Sequence, residues 1–233
     1  MFKIFPPFFQ ALLPLNHPSL FSKRPTVEPQ KLDKWNTKFV LILLTVCQLL
    51  ISHVALATNY TFIGGGGTTV WTTAANWTPS YPGTNIPAGH TVTIASFCQI
   101  QGGIQVINSS PLTINSGVIL GLYNNGTNYT QQSGTMTING KLYSQVQLSI
   151  TIASGAQVIN NWQIETGANF TNNGTFTNNG SFSLSSHAST SFNNYGLLKG
   201  TGSMSGATIS IATNHATGTI SPGSSPGCLV PYQ

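Results

Sequence analysis

Three phenylalanines at a fixed six-residue step limit most sharply what this chain can fold into. In Ala168-Asn-Phe-Thr-Asn-Asn-Gly-Thr-Phe-Thr-Asn-Asn-Gly-Ser-Phe-Ser-Leu184, Phe170, Phe176 and Phe182 recur together with Asn172-Asn173-Gly174 and Asn178-Asn179-Gly180. Glycine adopts a positive φ without penalty and asparagine tolerates one, so each Asn-Asn-Gly is expected to turn the backbone at a corner. About three extended residues remain between corners. A meander of hairpins built this way would have strands below the usual ~5–6 residues. A parallel β-solenoid needs only short strands, because each pairs with the next coil. It also keeps phenylalanine inside, stacked from coil to coil, and lets corner asparagines bond their equivalents above and below.

Other stretches carry a two-residue period. In His90-Thr-Val-Thr-Ile94, Val92 and Ile94 alternate with Thr91 and Thr93, and in Gly134-Thr-Met-Thr-Ile138, Met136 and Ile138 alternate with Thr135 and Thr137. Alternation places aliphatics on one face of a strand and threonines on the other. Pro111-Leu-Thr-Ile114 and Gln147-Leu-Ser-Ile-Thr-Ile152 are of the same kind. No stretch after residue 57 has a period near 3.6. The expected fold is all-β: a right-handed parallel β-helix over residues 90–233, with almost no helix after an N-terminal signal helix.

Residues 39–51 are an apolar run preceded by Lys31, Lys34 and Lys38 and followed by Ala55-Leu56-Ala57. That is the layout of a secretory signal cut after Ala57, which makes Ala55, Ala57 and Thr58 the candidate cleavage residues. A retained membrane anchor is the alternative, but Gln48, Ser52 and His53 interrupt a stretch barely long enough to span. Residues 1–57 are therefore read as leader, with a proline- and phenylalanine-rich start that has no period. Residues 58–89 hold Trp71, Trp77, Pro79, Pro82 and Pro87 and read as an N-terminal cap, where bulky rings and rigid turns cover an exposed first coil.

Charge is confined almost wholly to the leader. Of eight Lys and Arg and three Asp and Glu, only Lys141, Glu165 and Lys199 follow residue 39. The basic balance thus offers no basic face, and no nucleic-acid partner is expected. Any membrane contact is expected only through the leader, and no particular oligomer is predicted. Cys98 and Cys228 stand 130 positions apart. That is about six coils at ~20 residues each, or about 30 Å of axis, against a Cα limit of ~7 Å for a disulfide. Two unpaired thiols are expected.

Trp71-Thr-Thr-Ala-Ala-Asn-Trp77 followed by Ile86-Pro-Ala-Gly-His-Thr-Val-Thr-Ile94 resembles the opening of secreted bacterial parallel β-helix repeat proteins. The Ile-Pro-Ala-Gly-His-Thr-Val element is similar to G8-type domains. The Asn-Asn-Gly series is similar to autotransporter passengers and filamentous-haemagglutinin-like adhesins. Gly218-Thr-Ile-Ser-Pro-Gly-Ser-Ser-Pro-Gly227 resembles a terminal motif that leads, in such proteins, into further strands, so the chain is expected to be truncated at its C-terminus. The resemblance implies secretion or surface display, with a passive adhesion or cell-envelope role and envelope proteins or surface glycans as partners.

Catalysis is not expected. Glycoside hydrolysis by acid and base needs two carboxyl groups, and the chain after residue 57 has only Glu165. Glu165 is expected on a solvated corner. Lys141 and Lys199 have no acidic neighbour in sequence and read as solubilising. His90, His187 and His215 lack the paired spacing of a metal site and an Asp to orient them. No cofactor is expected.

The alternative function is carbohydrate binding. Tyr123, Tyr129, Tyr143 and Trp162 are the candidate glycan contacts, because aromatic faces stack on sugars. Tyr81 and Tyr195 have the same chemistry, Trp71 and Trp77 are assigned to the cap, and Trp162 equally suits the core. Three exposed aromatics in a row on one face would mark such a site. An ice-binding solenoid ranks third, since the threonine rows read as short and irregular. The sequons at Asn59, Asn76, Asn125 and Asn173 follow from composition and carry no weight.

Overall fold

The computed structural model describes residues 38–45, 56–145, 147–185, 190–206 and 212–223. Residues 38–45 are helical and belong to a separate unit from residues 55–233. No helix among the described residues is long and apolar enough to cross a membrane. Ala55 and Cys228 lie outside the described residues.

From Asn59 to Pro222 the chain is a β-solenoid with three faces. Strands return to the same sheet at every third element, forming sheets of nine, six and seven strands. The first sheet contains Thr91–Ile94, the second Cys98–Ile100 and the third Gln105–Asn108. Coil-to-coil pairing is parallel throughout, with one antiparallel pair, Asn59–Phe62 on Trp77–Thr78, at the edge of the first sheet. The only helix in the described part of this unit is a 3-10 turn, Ala74–Asn76. The segment expected as a cap also supplies a strand of the coil, since Asn59–Phe62 pairs in parallel with Thr91–Ile94.

Most four-residue strands bury their second and fourth side chains. In the first sheet the second position runs Val92, Leu112, Met136, Val158, Phe176 and Leu198 in register. All six are buried. Each such side chain contributes about 1.5–3 kcal/mol when removed from water.

The phenylalanine repeat has a different meaning from the one expected. Phe170, Phe176 and Phe182 do not stack along the axis. They come from the third, first and second sheets and meet in the middle, with ring centroids 5.2–5.4 Å apart. A six-residue step is therefore one face of the solenoid, and three make a coil of 18 residues. Elsewhere insertions in the turns lengthen the coil to between 20 and 24 residues.

The corners also work differently. Gly174 and Gly180 are not in the positive-φ region. A Cβ on Gly180 would overlap the carbonyl oxygen of Trp162 in the preceding coil, and one on Gly174 would overlap those of Ala153 and Ala156. Glycine is needed there for close approach between coils rather than for its dihedral freedom.

The first asparagine of each triplet points inward and is buried. Asn172 Oδ1 accepts the Gly174 N–H at 3.2 Å, while its amide donates to Asn194 Oδ1 at 2.7 Å and to the Leu197 carbonyl at 3.1 Å. Asn194 continues the ladder to Asn214 at 2.7 Å. The amide thus satisfies the polar backbone that a sharp corner would otherwise bury unpaired.

Candidate functional site

The outward positions are free of packing duties, so function is sought there. On the second sheet, Gly121, Tyr143 and Glu165 occupy one outward column in consecutive coils, with Gln99 before them and Ser183 after. Tyr123 follows the strand Ile119–Leu122, and its ring folds back over Gly121. Any side chain at Gly121 would collide with that ring. The rings of Tyr123 and Tyr143 consequently lie side by side, 5.6 Å between centroids and tilted by 46°.

Lys141 stands beside them on the same strand as Tyr143, its Nζ 5.5 Å from the Tyr143 ring centroid. It ion-pairs with Glu165 of the next coil. Glu165 is therefore inside a strand, Gln163–Thr166, not on a corner, and Lys141 has an acidic partner 24 residues away in sequence. Both ends of the pair remain open to solvent. The Tyr123 hydroxyl is held above its ordinary pKa by burial and then by the neighbouring Tyr143, with a Gln99 hydrogen bond acting the other way. It stays a neutral donor at physiological pH. The patch offers two aromatic faces, a cation, a carboxylate and an amide.

The other expected contacts are elsewhere. Tyr129 is buried, stacked in a column between Val106 and Ile150, with its hydroxyl donating to Gln131 Oε1 at 2.6 Å. A sugar cannot reach it, so Tyr129 is a core residue and not a glycan contact. Trp162 does not fill the core: it is 64% exposed, in the turn from the first sheet to the second. Tyr195 lies in a turn from the third sheet to the first and stacks on His215, 3.8 Å between centroids and nearly parallel. Of the four candidates, only Tyr123 and Tyr143 come together, so the face carries two adjacent aromatics and not the row of three expected of a glycan site.

Gln99, Gly121, Lys141 and Glu165 were not legible as partners. Their signal is a 22-residue step from Gly121 to Tyr143 to Glu165, which has meaning only once the coil length is known.

Trp71 and Trp77 are buried edge-to-face, 4.7 Å between centroids, with the Trp77 indole N–H donating to the Trp71 carbonyl. Of the candidate cleavage residues, Ala57 is exposed, and Thr58 donates its backbone N–H to His90 Nδ1 at 3.1 Å. Cys98 is a buried free thiol. Among the described residues no three His, Cys, Asp or Glu side chains gather in a metal-binding group.

Compared with family models, curated proteins and solved structures, the chain matches none.

Proposed function

We propose that this protein is a passive, non-enzymatic solenoid of the cell envelope or its exterior, exported by its leader, which adheres to surface glycans through the outer face of the second sheet. The observation that carries this reading is the adjacent Tyr123 and Tyr143 rings with Lys141 and Glu165 beside them. Aromatic faces accept the apolar face of a pyranose, and ionic and amide groups at the edge accept or donate to its hydroxyls. A β face fixes the backbone of these groups, so ordering on binding is confined to side chains.

The test is a glycan array probed with the full chain and with Tyr143→Ala. The expected result is selective binding to a small set of glycans, weakened about tenfold or more by the substitution, as for an aromatic anchor. Binding to no glycan, or equal binding by the variant, would leave a purely structural envelope role in its place.

A further inference from the structure

The threonines that read as scattered in sequence fall into register on the outer face of the first sheet. Thr61, Thr93, Thr113 and Thr137 occupy one outward column in four consecutive coils. Ile159 interrupts it once and Thr177 resumes it. Two residues earlier on each strand, Thr91, Thr135 and Thr175 form a second column, alternating with Pro111 and Gln157. We propose that this face binds ice.

The geometry is that of a lattice. Neighbouring strands are ~4.8 Å apart, and residues two apart on a strand are about 6.6 Å apart. Hydroxyls and methyls therefore repeat from coil to coil along the first column, and also along the strand at Thr91/Thr93, Thr135/Thr137 and Thr175/Thr177. A β-branched side chain is stiff at χ1 and leaves few rotamers to lose on contact. The inward neighbours of these threonines, Val92, Leu112, Met136 and Phe176, are locked in the core. In the second column Thr91 donates to Asn59 Oδ1 and Thr135 to Gln157 Oε1.

The chemistry points to ordered water over other occupants. Ice is an uncharged array of donors and acceptors with fixed spacing. From Asn59 to Thr177 this face carries no charge, and the first in the column is Lys199. A lysine holds its own tight hydration shell and would disrupt a water lattice. The two columns also contain no aromatic platform of the kind a crystalline polysaccharide stacks on. The second sheet, with Tyr143, Lys141 and Glu165, has the opposite character, so the two faces serve separate partners.

The test measures inhibition of ice recrystallisation by the full chain. Thr113→Lys/Thr137→Lys on the first sheet is compared with Ser183→Lys/Ser205→Lys, which occupies an outward column of the second sheet. The unaltered chain is expected to arrest crystal growth. The first pair should raise the concentration required by about tenfold or more, and the second should leave it within about twofold. Thr137→Val, which keeps the shape and removes the hydroxyl, provides a variant with little folding risk and should give a partial loss. Tyr143→Ala should leave ice activity intact, which separates this proposal from the glycan reading. The proposal is overturned if the unaltered chain does not slow recrystallisation, or if both lysine pairs lose activity equally. It is also overturned by retention on crystalline cellulose or chitin that the first pair abolishes, with no activity on ice.

Discussion

The side-chain amide of Asn160 donates to Asn178 Oδ1 at 2.7 Å across 18 residues, and that of Asn172 donates to Asn194 Oδ1 at the same distance across 22. The ladder spacing is unchanged although one coil is four residues longer. Insertions are absorbed by the turns, while the strands and their inward side chains keep register. The coil is therefore defined by what stacks rather than by how many residues it holds.

The two asparagines of an Asn-Asn-Gly triplet should differ sharply in their contribution. Asn172→Ala removes three hydrogen bonds and takes this partner from the Gly174 N–H, the Leu197 carbonyl and Asn194 Oδ1. Each buried polar group left unsatisfied costs about 1–3 kcal/mol. Asn173 is exposed, and Asn173→Ala should change stability by no more than about 0.5 kcal/mol. Guanidinium unfolding of both variants checks the contrast, and equal losses would refute the inward role of the first asparagine.

Glycines should divide by cause. At Gly180 a Cβ meets backbone of the preceding coil, so Gly180→Ala should cost more than about 2 kcal/mol by forcing coils apart. At Gly117 φ is +74° and the space is open, so Gly117→Ala should cost about 1–2 kcal/mol from the dihedral alone. Thermal melts of the two variants would expose an error if Gly117 proved the more sensitive position.

Alkaline pH should weaken the fold. Burial raises the Cys98 thiol above its ordinary 9.0. Burial likewise raises the Tyr129 phenol above 10.0, with a hydrogen bond from Asn108 opposing it. In the unfolded chain both groups lose their protons at lower pH than in the fold. Their stabilising effect is therefore complete below about pH 9 and declines as pH rises past the unfolded values. Urea midpoints from about pH 7 to about 11 should be level at first and then fall. Tyr129→Phe should flatten the later part of that fall, and a midpoint that rises with pH would contradict the burial of both groups.

The inward pattern was legible because it is local. Val92, Ile94, Met136 and Ile138 alternate with threonine, and period 2 fixes the face of each without reference to any other strand. The phenylalanine step gave the solenoid but not its cross-section, since a six-residue period is compatible with stacking along the axis or around it. Tyr129 and Tyr143 looked alike as candidate contacts. Their positions on the strand decide between them: Tyr129 is second in Asn128–Gln131 and faces inward, and Tyr143 is third in Lys141–Ser144 and faces outward.

The sequence by itself determined the strand pattern and a parallel coil of short strands, because alternation and turn residues act over a few bonds. Only the tertiary structure decided which outward residues are neighbours. Tyr143 meets Tyr123, Lys141 meets Glu165 and Thr93 meets Thr113 through pairing between coils of unequal length. Turns of variable length scramble the sequence separation while backbone hydrogen bonds hold the spatial one, so the faces that meet other molecules are assembled only when the coils stack.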